Sequence, residues 1–454
     1  MRRPSCRAAG AFFSGDRVKT DDGLLVGFGV VDITPPEGLA MAGSLDPRWN
    51  EGLHKPLMVK TLYAASNGNA IAIAGVDLVG IHRELGDAIV EKASGQTGLD
   101  PGSILICCSH THSGPYIRPG VHLKEKVVDE DYVGSLARRI TESITQAVKA
   151  AQPATMHLGR SLVFQALHNR RVIVKHDGLA FNTWMRDHLN DLNAVPQVLG
   201  TAGPIDPELW VARFDAQDGT CLGTLVNFSM HLCAKGGTDW SADYPAVIAE
   251  KLAEELGSQA VSVFTAGACA NINPAFHGLG WDIGAESIAM GAVDAVRRAV
   301  KVEGPVQVAA SRKDTEVPRR DTTNQREGAI ERLNWAGKGG RSDVFTPRIA
   351  ALAEMPEQLT TPVSAARLGP LGIGTNPGEL FVEWGIEIKR RSPFRYTIVT
   401  ELTNDTIGYQ PDNKAFEQEG YETLIGSNRI SLEGIQMLVD SAVDQLDGLY
   451  AQGD

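Results

Sequence analysis

Along this chain, short β-branched apolar runs alternate with longer stretches in which apolar residues recur every three or four positions. Leu24 to Ile33 is the first run, and Thr34, Pro35 and Pro36 stop it because proline cannot continue a paired strand. The runs Leu57 to Ala65 and Ala70 to Ile81 flank Asn67-Gly68-Asn69, a strong hairpin signal. Helical spacing covers about 83 to 97, and the strand-like SILICC leads into His110; a second helix spans about 131 to 151 and ends at Pro153. A strand is expected near Thr155 to Gln165, and a second hairpin from Trp210 to Phe214 and from Cys221 to Met230 around Asp218-Gly219. Helices follow at about 245 to 256 and 283 to 301, with a short strand, Ala260 to Thr265, between them. Beyond them come strands at 305 to 313, Ala366 to Gly374 and Tyr396 to Leu402, with helices at about 380 to 391 and 430 to 449. Strand, helix, strand, helix is the rhythm of an α/β fold, whose sites collect where strands end.

Composition narrows the picture in three ways. A chain of 454 residues with 43% hydrophobic and 22% charged residues is a globular protein able to bury a large core. Its net charge of -12 argues against nucleic acid as a partner. The six cysteines form no CxxC pair and sit mostly in apolar runs, which predicts buried thiols rather than a disulfide framework. Arg2 and Arg3 are followed by no apolar stretch long enough for a signal peptide or membrane span, so a cytoplasmic protein without a transmembrane segment is expected. Residues 1 to 22 read as a loosely attached N-terminus, 23 to 451 as one domain, and the charged, glycine-bearing stretch 315 to 348 as an insertion. The polar stretch 175 to 205 is long enough to serve as a lid or substrate wall.

Candidate chemistry gathers at the ends of the apolar runs. SILICCSHTHSGPY places His110 and His112 one residue apart, and in an extended strand side chains two apart share a face. His231 ends another strand, Glu379 follows Asn376-Pro377-Gly378, and Tyr409 follows Gly408. Imidazole nitrogen and carboxylate oxygen suit zinc, which in a catalytic site keeps one position open. Asp77 sits inside an apolar strand, either facing a site or paired with a buried partner. Asp243 precedes a helix and can cap it or approach the metal. Trp184, Trp210, Trp240, Trp281 and Trp384 are candidates to wall an apolar acyl pocket.

Taken together, CSHTHSGP, NFSMH, the Gly-rich loop before Asn-Pro, NPGE and the later GY and GYE resemble the neutral ceramidase family along nearly the whole chain. The resemblance implies a mixed central β-sheet flanked by helices, with one zinc ion per chain at the strand ends. It implies that His110, His231, Glu379 and Tyr409 hold the zinc, that His112 faces the oxygen that becomes negative, and that Arg170 anchors the substrate or its carboxylate product. Tyr421 would line the same pocket, and Asp77 or Asp243 would supply a general base. The partner is then a small acyl amide or ester; in a departure from the family, its C-terminal β-sandwich domain is expected to be absent.

One departure bears on mechanism. Ceramidases place a nucleophilic serine in a GDVSPN loop; laid on GACANINP, that loop puts Asn271 at the aspartate and Asn273 at the serine. An amide side chain forms hydrogen bonds but no acyl-enzyme. The reading is a zinc hydrolase cleaving a C–N amide bond by zinc-activated water, with Asn273 as an oxyanion donor. An ester or lactone hydrolase on the same site and a non-catalytic metal-binding protein are the alternatives. A metal-dependent phosphoesterase is disfavoured, because no second carboxylate cluster offers a paired-metal site. Without the loop serine, Ser109, Ser113 and Ser229 are the nearest alternative nucleophiles.

Overall fold

A computed structural model of the chain describes residues 23–118, 120–121, 123, 127–175, 179–182, 198–275, 280–325, 329–330 and 341–452. The N-terminal segment 1 to 22, Trp184 and most of the stretch 175 to 205 lie outside the described residues.

Strands β1 (Leu25–Asp32), β2 (Met58–Ser66) and β3 (Asn69–Val76) form an antiparallel meander. Its hairpin turns on Asn67 at φ 51° and Gly68 at φ 80°, the left-handed pair that a two-residue loop demands. Helix α1 (Arg83–Thr97) returns the chain to β4 (Ile104–Cys108), parallel to β3. All five residues of β4 are buried, because both of its faces are covered; that is why it reads as an unbroken apolar run. After α2 (Glu130–Lys149) come β5 (Gln152–Leu162), β6 (Leu167–Asn169), β7 (Glu208–Ala216) and β8 (Cys221–Phe228). Next are α3 (Tyr244–Leu256), β9 (Val261–Ala266), β10 (Ile272–Pro274) and α4 (Trp281–Arg297). The C-terminal part holds β11 (Val308–Pro318), α5 (Ser342–Ala353), β12 (Gln358–Leu368), β13 (Leu371–Thr375) and β14 (Glu379–Leu380). It closes with α6 (Val382–Arg391), β15 (Tyr396–Thr400), β16 (Tyr409–Gln410) and α7 (Leu432–Ala451).

These elements make four layers. One sheet runs β9-β8-β7-β5-β1-β2-β3-β4, with Val300–Lys301 adding a ninth strand beside β5; the other runs β11-β12-β13-β15. Leu62, Ile73, Leu105, Trp210 and Val263 of the first sheet pack with Val308, Leu368, Ile373 and Ile398 of the second. The larger sheet's outer face is covered by α1 and α2 through Ile89, Ile140 and Ile144, and by α3 and α4 through Ile248, Leu252, Ile288 and Val293. Leu438, Val439 and Leu446 of α7 and Ile388 of α6 cover the smaller sheet. Each such side chain, fully buried, contributes about 1.5–3 kcal/mol.

The α/β class and the mixed sheet flanked by helices agree with the sequence, while the pairing is more antiparallel than a βαβ rhythm suggests. Among the strands named here, only β3–β4, β8–β9, β13–β15 and the short β14–β16 pair run parallel. The single strand expected at 366 to 374 is a hairpin instead, because Gly369 at φ 57° turns β12 into β13. The insertion expected at 315 to 348 begins inside β11 and ends inside α5, and 326–328 and 331–340 lie outside the described residues. Among the described residues no helix is long and apolar enough to cross a membrane.

Candidate metal centre

The strand carrying SILICC ends at Cys108, two residues before the first histidine. His110 takes a left-handed backbone, φ 70°, with its N–H donating to Leu78 O at 3.0 Å. His112 follows in a turn pinned by its N–H to Leu232 O at 2.9 Å. Convergence of the two rings therefore comes from a local kink and not from strand alternation. His231, just past β8, is held by its N–H to Ile272 O at 3.0 Å. Glu379 opens β14 and stands in register with Tyr409 of β16, so one short ladder delivers both.

Three imidazoles meet tip to tip. His110 Nε2 lies 3.2 Å from His231 Nε2 and 3.3 Å from His112 Nε2, and the three could together hold a metal ion. His110 Nδ1 bonds Val79 O and His231 Nδ1 bonds Cys269 O, each at 2.7 Å. A carbonyl only accepts, so both Nδ1 atoms carry hydrogen and both Nε2 atoms present lone pairs to the centre. Facing lone pairs at this distance repel unless a proton or a cation lies between them. Glu379 Oε2 stands 3.4 Å from His110 Nε2 and 3.8 Å from His231 Nε2, buried and without a hydrogen bond among the described residues. Ligand atoms about 2.0–2.1 Å from a tetrahedral zinc stand roughly 3.3–3.4 Å apart. The donor set therefore fits a zinc ion in type and in spacing.

Charge at the centre follows from the neighbours. Burial lowers the His110 pKa, but the Glu379 carboxylate more than offsets it and the net shift is upward. His112 and His231 are held neutral, first by burial and then by the positive charges of His110 and Arg170. Tyr409 keeps its phenolic proton, because burial and then Glu379 raise its pKa.

Around the histidines the structure gathers the other expected residues. Arg170 Nη1 reaches His231 Nε2 and Asn273 Oδ1, each at 3.3 Å, while its Nε donates to Glu422 Oε1 at 2.8 Å. Burial opposes this guanidinium, yet a hydrogen bond to Tyr409 and the Glu422 carboxylate together outweigh burial and keep it charged. Its plane lies 5.5 Å from the Tyr409 ring centroid, and Tyr409 packs edge-on to Tyr421 at 5.4 Å. Asn273 thus shares Arg170 Nη1 with His231, whereas Asn271 is structural: its Oδ1 accepts Val382 N–H at the start of α6 and its Nδ2 donates to Glu383.

Two expected acids go elsewhere. Asp77 accepts Met58 N–H at 2.9 Å and faces Lys60 and Ser109, in a cavity of about 330 Å³ under α3. Asp243 caps α3: its carboxylate accepts Tyr244, Ala234 and Lys235 N–H groups and the Trp281 indole. Burial raises the Asp243 pKa despite these four donors, but its carboxylate is committed to the cap. Ser113 donates to Lys235 O and Ser229 to Asp206, so neither is poised as a nucleophile. Trp240 is fully buried, and Trp210 lies in the core between the sheets.

Sequence reasoning missed Glu401 and Gly43. Glu401 is fully buried; its Oε2 accepts Cys269 N–H at 3.1 Å and Leu380 N–H at 2.8 Å, tying the loop behind His231 to the residue after Glu379. A lone carboxylate ending the apolar run of β15 was the available signal. Gly43, at φ 86°, leaves room for His112, whose Cγ a Cβ there would approach to 2.5 Å.

No family model matches the sequence, and no curated protein does. Solved structures do. Neutral ceramidase from Pseudomonas aeruginosa superposes with a TM-score of 0.72 at 18% identity, over 95% of this chain and 75% of that one. This chain has the ceramidase fold. A ceramidase structure described as complexed with C2 gives the same TM-score at 17% identity, over 95% of this chain and 76% of that one. The mixed sheet and its helical layers are thus placed on a known architecture, whereas the centre and the roles of single residues rest on this chain's own geometry.

Proposed function

We propose that the protein is a zinc-dependent hydrolase that cleaves the C–N bond of an N-acyl amide. The observation that carries the reading is the meeting of His110 and His231 Nε2 at zinc-ligand spacing beside the orphaned Glu379 oxygen, with His112 Nε2 turned toward the same point. That two similar solved structures are ceramidases, enzymes named for an N-acyl amide lipid, supports the bond class.

In this reading His110, His231 and Glu379 hold the ion, with Tyr409 beside Glu379 completing the set. A bound zinc lowers the pKa of its water from about 15.7 to about 7 and polarises the carbonyl. His112 is the member of the trio that is not fully buried, and it is neutral with its Nε2 turned inward. It accepts the proton of the attacking water at Nε2; as imidazolium it then donates from that atom to the developing oxyanion, and finally to the leaving nitrogen. One C–O bond forms and one C–N bond breaks, giving a carboxylic acid and an amine. Asn273, its oxygen engaged by Arg170, presents N–H donors to the oxyanion, a contribution of about 3–4 kcal/mol for one good donor. Arg170 anchors the carboxylate product, and Tyr421 lines the pocket.

Metal analysis of purified protein tests the ligand set. We expect close to one zinc per chain, and His231→Ala to lose both zinc and turnover of N-acyl amides; zinc retained at the wild-type level in that variant would overturn the assignment. Esters and lactones assayed alongside the amides set the bond preference. Mass spectrometry during turnover should find no acyl adduct, and a covalent acyl-enzyme would exclude attack by water.

A further inference from the structure

Arg48 stands on a two-residue strand, Arg48–Trp49, that pairs with Ala40–Met41, and Met41 also bridges to Pro115. This pairing brings its side chain to the turn that holds His112. There one half-buried guanidinium joins three segments: Nη2 donates to His112 O at 2.5 Å and to Ala42 O at 3.4 Å, and Nη1 donates to Gly237 O at 2.8 Å. Among the described residues its hydrogen bonds all go to backbone carbonyls and none to a carboxylate. A planar fork spreads fixed donors over carbonyls on separate segments, whereas an ammonium is a compact point charge.

Each of the three segments shapes the place of the His112 ring. The peptide before His112 is fixed by its N–H to Leu232 O and the peptide after it by Arg48, so the Cα–Cβ direction is set from both ends. The ring lies against Gly43, where a Cβ would come within 2.5 Å of its Cγ, and Arg48 holds the carbonyl of the residue before that glycine. Gly237 belongs to the loop that follows His231 and Leu232, and Ser113, next to His112, donates to Lys235 O of the same loop. The other two imidazoles are oriented from elsewhere, His110 through Val79 O and His231 through Cys269 O. Neither of those anchors receives a bond from Arg48.

Resting on the hydrolase reading, we propose that Arg48 is a positioning residue for His112, fixing the imidazole where its Nε2 can take the proton of the attacking water. A displacement of about 1 Å at a reacting group can cost about 100-fold in rate, so a clamp on its backbone matters to turnover. Arg48 acts only through His112 and touches no reacting atom.

A double-mutant cycle on the zinc-loaded, full-length protein tests this. Arg48→Ala should keep its zinc and lose about 10–100-fold in kcat on N-acyl amides, with KM within about twofold of wild type. Arg48→Lys should fall between alanine and wild type, since it keeps the charge but loses the fork. In the His112→Ala background, Arg48→Ala should cost no more than about twofold further, because its only route to the chemistry is gone. The same fractional loss in both backgrounds would mark a general structural clip and overturn the proposal. So would wild-type kcat in Arg48→Ala, or in Arg48→Lys where the alanine variant does not fold, and so would zinc lost in step with turnover. Crystal structures of the zinc-loaded proteins read the position without relying on hydrolysis. The Arg48 variant should move His112 Nε2 by about 1 Å or more while His110 and His231 stay in place, and an unmoved imidazole would overturn the proposal. Wild-type protein that binds zinc but cleaves no amide, with His112 displaced in the variant, would count against the hydrolase reading and leave the positioning role standing.

Discussion

His112 shows how much one residue's role depends on backbone detail. HTH was legible as a candidate metal motif, because two imidazoles one residue apart at the end of an apolar run can face one site. How the two divide the work was not, since it turns on the positive φ of His110 and on the space at Gly43, neither of which a periodicity reveals. If His112 moves the proton while His110 and His231 hold the ion, His112→Ala should keep its zinc and lose about 10²–10⁴-fold in kcat, the usual range for a positioned acid–base group. Zinc content and turnover measured on one preparation decide the matter: zinc lost in step with activity would make His112 a ligand. Gly43→Ala should show the same split more mildly. Its new Cβ must displace the imidazole, and its backbone must hold a left-handed φ that alanine resists.

At the level of elements, the long helices and both hairpin turns were readable from spacing, and several helix ends fall within two residues of expectation. The second sheet was readable only in part. Its strands β12 and β13 read as a single run because Gly369 resembles the glycines around it until its φ is known. The same limit hid Glu401, which acts between elements: it bonds the loop whose Cys269 carbonyl orients His231, and it bonds the strand that presents Glu379. Removing it should loosen both ligands without touching the ion. Glu401→Ala is therefore expected to weaken zinc binding about 10–100-fold, the cost typical of losing an outer partner of a metal ligand. Competition against a chromophoric chelator measures this, and affinity within twofold of wild type would show that the loop and β14 hold their positions unaided.

For the whole molecule, Asp77 is among the acids that the four layers house poorly. Asp77 lies under α3 with Lys60, Ser109 and the Met58 N–H around it, and burial pushes its pKa from 3.8 up to about 6 despite those partners. The Lys60 amine is itself lowered by burial, so it compensates the carboxylate only weakly. Because the folded value exceeds the unfolded one, the native state binds more protons between pH 3.8 and about 6. Asp77's contribution to stability therefore falls as pH rises through that window, and above it the ionised carboxylate costs on the order of 2–3 kcal/mol, at 1.36 kcal/mol per pKa unit. Asparagine keeps an oxygen for Met58 N–H and removes the charge. Asp77→Asn should accordingly raise the urea midpoint at pH 8 and converge with wild type near pH 4. A variant less stable than wild type at pH 8 would show that Lys60 pairs with the carboxylate strongly enough to outweigh its burial. Among the described residues none of the three histidines lines the cavity that holds Asp77, so zinc content and turnover should be unchanged in the same variant, which separates stability of the scaffold from chemistry at the centre.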